Sequence, residues 1–269
     1  NSFMSASRDL FDVKGLTVVV TGGGSGIGRM IAEGFAKGGS QVYISSRKYN
    51  KCKAAAQDIT ERFKGTCVAL PPVNLGGGEA SCLTFVENLE KAGVKSVDVL
   101  VNNSGCSWGE PLEKYSEKGF DKVMNLNVKG LFFLTKSMVP LLSAGASASN
   151  PSRVINIGSI AGIKPQKVPT YAYDASKSAV HHLTRHLAGV LSDKNITVNA
   201  IAPGIVPTKM SKGLTVYVDQ DKLKSSIPLA RFGKPQDMAA AAIFLAAKSG
   251  SWITGIVLPV DGGSLVSRL

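Results

Sequence analysis

Residues 16–28 read LTVVVTGGGSGIG, an apolar, β-branched run that passes directly into a glycine-rich turn. The run predicts a buried strand, and the apolar residues after the turn share one face of a helix that ends at Gly38. A glycine-rich turn between a strand and a helix offers a phosphate bare backbone N–H groups and the positive end of the helix. It therefore predicts a nucleotide site, with contacts from Gly22, Gly24, Ser25, Gly26, Ile27 and Gly28.

The same alternation of strand and helix continues to the end of the chain. Six further apolar strands are predicted, at Gln41–Ser46, Thr66–Leu70, Val97–Val101, Arg153–Ile157, Ile196–Ile201 and Ile256–Val260. Helical patterns separate them at Lys48–Phe63 and at about 79–92, 117–142, 171–192 and 235–247. Short, fully apolar strands alternating with helices indicate a parallel sheet that is covered on both faces. We therefore predict an α/β protein, a single doubly wound Rossmann domain over residues 10–266 with a seven-stranded, mainly parallel sheet and helices on both faces.

Three segments fall outside this pattern. Residues 1–9 are predicted to be a vector-derived remnant and an N-terminal extension. Residues 205–226 follow a strand end and mix Gly, Lys and apolar side chains, as expected for a loop over a substrate site. Ser267-Arg268-Leu269 is a conservative variant of the S-K-L address. A eukaryotic source would therefore predict a peroxisomal protein and its import receptor as a partner, and any other source would predict a cytoplasmic protein.

The charge balance limits the classes of partner. The 269 residues carry 31 Lys and Arg against 19 Asp and Glu, a formal net charge of +12. Such a surplus favours nucleic acid, a membrane surface or phosphorylated small molecules. The basic residues are spread along the chain rather than gathered in a tail or one helix, so no nucleic-acid partner is predicted. No membrane partner is predicted either, because the longest apolar run, Met238–Ala247, is too short to span a bilayer.

Cysteine and histidine spacing gives no metal site. The four cysteines, at positions 52, 67, 82 and 106, form no CxxC pair and no Cys/His cluster, and we expect free thiols in a reducing compartment. His182 and His186 lie four apart on a predicted helix, but the zinc-protease pattern needs a glutamate where the chain has Leu183. We interpret the two histidines as a surface or interface pair.

The end of the second strand selects the cofactor. An acidic residue there would bind the 2′-hydroxyl of NAD, but this chain has Ser46, Arg47 and Lys48. A guanidinium can hold a 2′-phosphate through two charge-assisted hydrogen bonds, which a carboxylate would repel. The alternative is a solvated basic helix start. We predict NADP(H), because the basic pair falls at the strand terminus.

A tyrosine and a lysine four residues apart form the candidate catalytic pair. Tyr173 and Lys177 would share a helix face, and a neighbouring ammonium should lower the tyrosine pKa from about 10 toward working pH. Tyr49 and Lys53 repeat the spacing, so the spacing alone is weak evidence. Tyr173 is preferred because it follows a strand whose end presents Ser159, and substrates collect at the carboxyl ends of parallel strands.

In their order and spacing these motifs resemble the short-chain dehydrogenase/reductase family from about Leu10 to Gly263. The likeness rests on Thr21–Gly28, Asn102-Asn-Ser-Gly105, Asn127, Ser159, Tyr173 with Lys177, and Pro203-Gly204. Within the family the chain is most similar to NADPH-dependent β-ketoacyl reductases, particularly those associated with bacterial rhamnolipid synthesis. That similarity lies in GCSWGEPLE, VMNLNVKGLFF, RVINIGSIAGI and ITVNAIAPG.

The resemblance implies a role for each catalytic position. Tyr173 would protonate the carbonyl oxygen as hydride arrives, and Lys177 would lower the tyrosine pKa and bind the nicotinamide ribose. Ser159 would hold the carbonyl oxygen and stabilise the forming alkoxide. Asn127 would anchor a water of the proton relay. The resemblance also implies a homotetramer, with a dimer as the alternative.

The resemblance extends the cofactor site beyond the glycine turn. The implied contacts are Ser46, Arg47, Lys48, Asn74, Leu75, Asn102, Ser104, Gly105, Tyr173, Lys177, Pro203, Gly204, Val206, Thr208 and Met210. Two of these residues depart from the family pattern. Ser104 replaces the usual alanine, and Asn74 replaces an aspartate that binds adenine, although an amide oxygen can still reach the adenine amino group.

The substrate is the least specified part of the prediction. The resemblance places Ser159, Cys106, Trp108, Ile163, Gln166, Val168 and Met210 at the substrate pocket, although the apolar ones fit a core equally well. An apolar pocket in a basic protein favours a 3-oxoacyl thioester of coenzyme A or acyl carrier protein, or a related ketone. The first alternative is a broad-specificity carbonyl reductase or alcohol dehydrogenase for small or xenobiotic ketones. An alternative of another class is a non-catalytic nucleotide- or nucleic-acid-binding protein.

Overall fold

Seven strands form one sheet in the computed structural model, which describes residues 9–63, 65–211 and 219–266. The strands are β1 (Thr17–Thr21), β2 (Gln41–Ser45), β3 (Thr66–Ala69), β4 (Val99–Asn102), β5 (Ser152–Ile157), β6 (Ile196–Pro203) and β7 (Val257–Val260). Their order across the sheet is β3-β2-β1-β4-β5-β6-β7, and each neighbouring pair is parallel. The predicted doubly wound sheet is confirmed, and it is parallel throughout.

Helices cover both faces of this sheet. They are α1 (Gly26–Lys37), α2 (Tyr49–Arg62), α3 (Glu79–Lys91), α4 (Glu117–Met124), α5 (Leu131–Ser143), α6 (Tyr171–Leu191), α7 (Gln220–Ser225) and α8 (Pro235–Ala246). Val18 and Val20 of β1 belong to one buried cluster and Val19 to the other. Because successive strand side chains point to opposite faces, a fully apolar strand needs such cover on both sides.

The strand order places the candidate site. The chain runs outward from β1 to β2 and β3, and then returns to build β4 on the other side of β1. Ligands of open parallel sheets bind in the crevice outside the strand ends at this reversal. The glycine turn after β1 and the Asn102–Gly105 segment after β4 lie at that point.

One predicted helix differs in the structure. The single helix expected over residues 117–142 is made of α4, a π-helical segment at Asn125–Gly130, and α5. A π-helix accommodates one additional residue in a turn and is typical of functional sites. The segment contains Asn127, one of the predicted catalytic residues.

Parts of three predictions lie outside the described residues. These are most of the N-terminal extension, the stretch 212–218 of the predicted substrate loop, and the C-terminal tripeptide Ser267–Leu269. Within residues 9–63, 65–211 and 219–266, no helix combines the length and the apolar character needed to cross a membrane.

Candidate active site

The glycine turn after β1 is shaped by two glycines with positive φ. Gly22 has φ +68° and Gly26 has φ +58°, a region that side-chain-bearing residues rarely adopt. A Cβ atom on Gly28 would overlap Asn103 Nδ2, so the start of α1 approaches the β4 end too closely for any side chain. The turn thus leaves backbone N–H groups at the helix start bare on the crevice side.

Hydrogen bonds join this turn to the segment after β4. The backbone N–H groups of Asn103 and Ser104 both donate to Thr21 Oγ1 at 2.9 Å. The Asn103 side chain donates to the Thr21 carbonyl at 2.8 Å. Thr21 is 1% exposed, so these bonds are shielded from water and fix the two strand ends on either side of the crevice.

The basic segment after β2 faces solvent. Ser46 Oγ accepts from the Lys48 N–H at 3.2 Å and from Cys52 Sγ at 3.2 Å, which fixes the path of the chain into α2. Arg47 and Lys48 are exposed. Within the described part of the chain neither forms an ion pair. Their charges are therefore available to an anion at the end of the sheet's second strand.

The predicted adenine-side residues lie on a short 3₁₀ turn. Asn74 is exposed, and its carbonyl accepts from the Gly77 N–H at 2.8 Å. Leu75, the first residue of the 3₁₀ turn, is 7% exposed and belongs to the core. Asn74 can therefore present its side chain to a ligand, whereas the Leu75 side chain is committed to packing.

Asn102 differs from the predicted cofactor contact. Its side chain is 4% exposed, and Nδ2 donates to Thr135 Oγ1 and to Asn156 Oδ1, both at 2.9 Å. A buried amide requires such partners, so Nδ2 bonds within the core, whereas Oδ1 is buried without a hydrogen-bond partner among the described residues. Gly105 lies nearer the site, because a Cβ there would come within 3.2 Å of Asn127 Oδ1 and 3.8 Å of Lys177 Nζ.

The segment after β6 meets the glycine turn. A Cβ on Gly26 would lie 3.5 Å from Thr208 Cγ2, ordinary contact distance, so Thr208 lies directly over the turn. Pro203 ends β6, and a Cβ on Gly204 would come 2.7 Å from Asp261 Cα. Farther along, Val206 is 4% exposed while Met210 is 53% exposed. The predicted contacts of this segment therefore range from core to open surface.

Tyr173 and Ser159 lie close enough for the Ser159 hydroxyl to act on the pKa of the Tyr173 phenol. Tyr173 lies in the first turns of α6, and Ser159 follows β5 and is 9% exposed. Burial raises the pKa of the Tyr173 phenol above its usual 10.0; the Ser159 hydrogen bond lowers it, and the Asp174 charge raises it. Desolvation is thus the largest effect on this phenol, and the lowering of its pKa by Lys177 stays a prediction.

Lys177 is buried beside the tyrosine ring. Its Nζ donates to the Ile157 carbonyl at 2.7 Å and lies 5.5 Å from the centroid of the Tyr173 ring. The side chain is 7% exposed, and burial lowers the pKa of Lys177 from 10.5 to about 8. The pair predicted from the sequence is therefore brought together, with the ammonium bonded to the end of β5.

Asn127 is held by hydrogen bonds on both sides of its amide. Oδ1 accepts from the Cys106 N–H at 2.9 Å, while Nδ2 donates to the Cys106 carbonyl and to Ser176 Oγ, both at 2.9 Å. Both donors of the amide are thus engaged. Water anchored here would bond to the second lone pair of Oδ1 or to the backbone that the π-helical turn distorts, rather than to Nδ2.

Ser176 is a site residue that the sequence interpretation missed. It is 0% exposed, and its Oγ donates to the Tyr173 carbonyl at 2.7 Å while accepting from Asn127. One hydroxyl thus links the π-helical segment to the turn of α6 that carries the tyrosine. The available signal was its place beside Lys177, but a small residue at a helix contact has the same appearance in a sequence.

The predicted substrate residues divide between packed and open positions. Trp108 stacks against Gly119, where a Cβ would overlap its ring, and Lys122 Nζ lies 4.7 Å from the ring centroid. Burial raises the pKa of the Cys106 thiol, which keeps it neutral. Ile163 is 49% exposed, and Gln166 is exposed. These open side chains lie on the segment between Ser159 and Tyr173, where a bound substrate would meet them.

The structure places the cysteines and histidines as follows. All four cysteines are free, as expected. Within the described ranges, no group of three His, Cys, Asp or Glu side chains is arranged to hold a metal ion. His182 and His186 are both exposed on α6.

Comparison with known proteins identifies the family. Residues 22–264 match a family model described as enoyl-(acyl carrier protein) reductase. The chain is 43% identical over 256 residues to the rhamnolipids biosynthesis 3-oxoacyl-[acyl-carrier-protein] reductase of Pseudomonas aeruginosa, covering 94% of this chain and 97% of that protein. The chain is a short-chain dehydrogenase/reductase. It is thus an oxidoreductase, as the motifs predicted.

Solved structures of short-chain dehydrogenases/reductases agree with this assignment. The Pseudomonas aeruginosa RhlG/NADP active-site complex superposes with a TM-score of 0.89 at 42% identity, covering 96% of this chain and 99% of that chain. A putative NAD(P)-dependent gluconate 5-dehydrogenase from Beutenbergia cavernae, with bound NADP, gives a TM-score of 0.87 at 34% identity and covers 96% and 100%. The family fold therefore extends over almost the whole chain.

Proposed function

We propose that this protein is an NADPH-dependent reductase that converts the ketone of a 3-oxoacyl thioester into an alcohol. The observation that carries the proposal is the buried Lys177 ammonium, which lies 5.5 Å from the centroid of the Tyr173 ring and donates to the end of the strand that presents Ser159. Relatives named as 3-oxoacyl-[acyl-carrier-protein] reductases support the substrate class. The NADP bound in two neighbouring structures supports the cofactor.

The crevice fits a dinucleotide phosphate. Its floor is the glycine turn, where a Cβ on Gly22 would come 2.8 Å from Asn103 Nδ2, so the backbone can approach a diphosphate closely. Arg47 and Lys48 would hold the 2′-phosphate, since their charges are exposed at the end of β2. Thr208 would close the turn from above. When bound, the cofactor supplies the hydride.

The protein's own residues would manage the carbonyl oxygen and its proton. Ser159 Oγ is placed to donate a hydrogen bond to the carbonyl oxygen and to stabilise the charge that develops there. The raised pKa of Tyr173 keeps the phenol protonated at neutral pH, so it can give its proton to that oxygen. The neighbouring Lys177 and the water anchored near Asn127 would then return a proton to the phenolate. The protonated tyrosine is the form that serves as the acid for reduction.

Two exposed apolar side chains support an acyl substrate. Ile163 and Met210 are 49% and 53% exposed, and both are apolar side chains suited to an acyl chain. The same surface would admit a compact ketone, and structural neighbours named as putative alcohol and gluconate dehydrogenases favour a broad-specificity carbonyl reductase as the second candidate. A non-catalytic role is not proposed, because the chain belongs to an oxidoreductase family.

A substrate panel tests the two candidates. NADPH oxidation would be measured with acetoacetyl-CoA, longer 3-oxoacyl-CoA thioesters, diketones and aromatic ketones, with NADH as the matched cofactor control. We expect kcat/KM to be highest for the 3-oxoacyl thioesters and to rise with chain length, because each buried methylene adds about 0.8 kcal/mol. Equal or better turnover of the ketones would favour the second candidate instead.

The homotetramer and the cellular location are the remaining parts of the proposal. The homotetramer agrees with exposed apolar side chains on α4 and α6, namely Phe120 (42%), Tyr171 (44%) and Val190 (55%). The molar mass in solution, measured by light scattering, tests it, and a monomer would contradict it. Peroxisomal import stays a prediction for a eukaryotic source, since the tripeptide that carries it lies outside the described residues.

A further inference from the structure

The segment Gly158–Thr170, here called the substrate segment, connects β5 to α6. It carries Ser159 near its start and Gln166 in its middle, so one stretch of chain serves both the reacting carbonyl and the rest of the substrate. Side chains from α6 hold this segment at two separate places. One is His181 and the other is Asp174, and neither belongs to the catalytic set described above.

His181 holds the start of the substrate segment. Its Nε2 accepts a hydrogen bond from the Ser159 N–H at 3.4 Å. The ring is 3% exposed and lies against bare backbone, since a Cβ on Gly158 or on Gly162 would collide with it. Burial, followed by the Lys177 charge, lowers the pKa of His181 to about 4, so the ring is neutral and one of its nitrogens can act as an acceptor.

Asp174 holds the middle and the end of the same segment. One carboxylate oxygen accepts from the Gln166 N–H at 3.2 Å, and the other accepts from Thr170 Oγ1 at 3.2 Å. The Asp174 N–H in turn donates to the Thr170 carbonyl at 3.0 Å. A single carboxylate thus closes the loop that carries Gln166 back onto the first turn of α6, where a negative charge is also favoured by the helix dipole.

The two anchors act on different parts of the site. Ser159 meets the reacting oxygen, so a shift of its backbone changes the geometry of the chemical step, and a displacement of about 1 Å can cost about 100-fold in rate. Gln166 and Thr170 belong to the part of the segment that is bonded to Asp174 rather than to the part that carries Ser159, and they would meet the remainder of the substrate. Their displacement would weaken binding in the ground state and the transition state equally.

We propose that α6 divides the control of the substrate segment between two positioning residues, with His181 fixing Ser159 for the chemical step and Asp174 fixing Gln166–Thr170 for substrate recognition. The kinetic part rests on the proposed reductase function. The anchoring part does not, because it concerns which amides each side chain protects.

Four variants test the division. Asp174→Ala removes both acceptors, and Asp174→Asn keeps the shape with one acceptor oxygen. His181→Leu removes the ring acceptor, whereas His181→Gln keeps an acceptor near the position of Nε2 and provides a second variant if the leucine protein folds poorly. Asp193→Ala, at the far end of α6 in an exposed contact with Lys194, and His182→Gln, beside His181 but exposed, are the matched controls.

Each variant would be measured for kcat and KM with NADPH and acetoacetyl-CoA, and for amide hydrogen exchange of the substrate segment. We expect Asp174→Ala to raise the KM for acetoacetyl-CoA about tenfold with kcat changed less than about twofold, and Asp174→Asn to be intermediate. We expect His181→Leu to lower kcat about 100-fold with the KM for NADPH unchanged, and His181→Gln to recover part of that loss.

Hydrogen exchange supplies the readout that is independent of activity. The Gln166 amide should exchange faster in Asp174→Ala, and the Ser159 amide should exchange faster in His181→Leu, with both controls like the parent protein. The proposal is overturned if Asp174→Ala leaves both the Gln166 exchange and the KM unchanged, or if both variants change kcat and KM by the same factors. If no thioester is reduced, the proposed function fails, and the two exchange patterns still decide whether the anchors are separate.

Discussion

Two tyrosine–lysine pairs with the same spacing lie in different regions of the molecule. Tyr49 and Lys53 are in α2, which follows β2, and Tyr173 and Lys177 are in α6, which follows β5. Both tyrosines fall in the first turn of their helix. The spacing therefore places the two side chains of each pair on one helix face and says nothing more about them.

The surroundings separate the two pairs. Tyr49 is 39% exposed beside the exposed Arg47, Lys48 and Lys53, a region suited to holding an anion. Lys177 is 7% exposed, and its Nζ lies 5.5 Å from the centroid of the Tyr173 ring. Removal of water around a tyrosine and an ammonium changes which protonation states are stable, whereas exposure leaves them screened. The comparison teaches that a tyrosine and a lysine four residues apart become a candidate catalytic pair because of their burial at a strand end. The spacing alone does not make them one.

The largest expected effect comes from removing the Tyr173 hydroxyl. Tyr173→Phe should lower kcat about 1,000-fold, because general acid catalysis contributes about 10²–10⁴-fold. The same change at the exposed pair, Tyr49→Phe, should leave kcat within about twofold. Steady-state kinetics with NADPH and acetoacetyl-CoA would compare them, with NADPH binding by fluorescence as the folding control. A Tyr173→Phe protein that retains activity would remove the distinction between the pairs.

Lys177 and Lys53 can be compared through the pH dependence of the free energy of unfolding. Burial lowers the folded-state pKa of Lys177 to about 8, below an unfolded value of about 10.4. Between these values the unfolded chain binds more protons, so this group makes stability rise with pH by up to about 3 kcal/mol. Below about pH 8 that stabilisation is absent.

Lys177→Met should remove this rise of stability with pH, and Lys53→Met should keep it. Urea unfolding at pH 7.5 and pH 10 would measure the free energy of unfolding of each variant relative to the parent protein. The titratable groups that both proteins contain contribute equally and cancel in this comparison. If the Lys177→Met difference does not change with pH, the ammonium is not desolvated in the folded protein.

The smallest effect concerns the exposed region alone. Arg47→Ala should raise the KM for NADPH about tenfold, since one charge-assisted contact to the 2′-phosphate is lost, while the KM for NADH stays nearly constant. kcat should be almost unaffected, in contrast to the variants of the buried pair. Lys51→Ala provides the matched control within the same basic cluster. Equal effects of Arg47→Ala on both cofactors would contradict the phosphate assignment.

The sequence specified most of the sheet and the outline of the site. Uninterrupted β-branched runs predict buried strands because both faces of a parallel sheet are covered, and each of the seven predicted strands is present within a few residues of its expected bounds. The glycine turn was equally predictable, since positive φ at Gly22 and Gly26 needs glycine. These features depend on local pattern, which a single chain displays directly.

Features that depend on partners distant in sequence could not be predicted. His181 has no role in the sequence prediction, because nothing near it indicates that Gly158 and Gly162 will lie against its ring. Asn102 was expected at the cofactor, but its amide bonds with Thr135 and Asn156 across the sheet. The direction of the Tyr173 pKa shift also depends on how completely the tertiary structure removes water.

The π-helical turn at Asn125–Gly130 interrupts the continuous helical stretch from residue 117 to residue 143. One additional residue in a turn rotates everything after it by about 100° relative to a regular helix. The apolar pattern of α4 and that of α5 therefore have different phases, and no single 3.6-residue repeat describes both. Deletion of one residue within the turn would restore a continuous helix and at the same time rotate either Asn127 or the core face of α5 out of place. A regular α-helix over residues 117–143 is therefore incompatible with the catalytic position of Asn127.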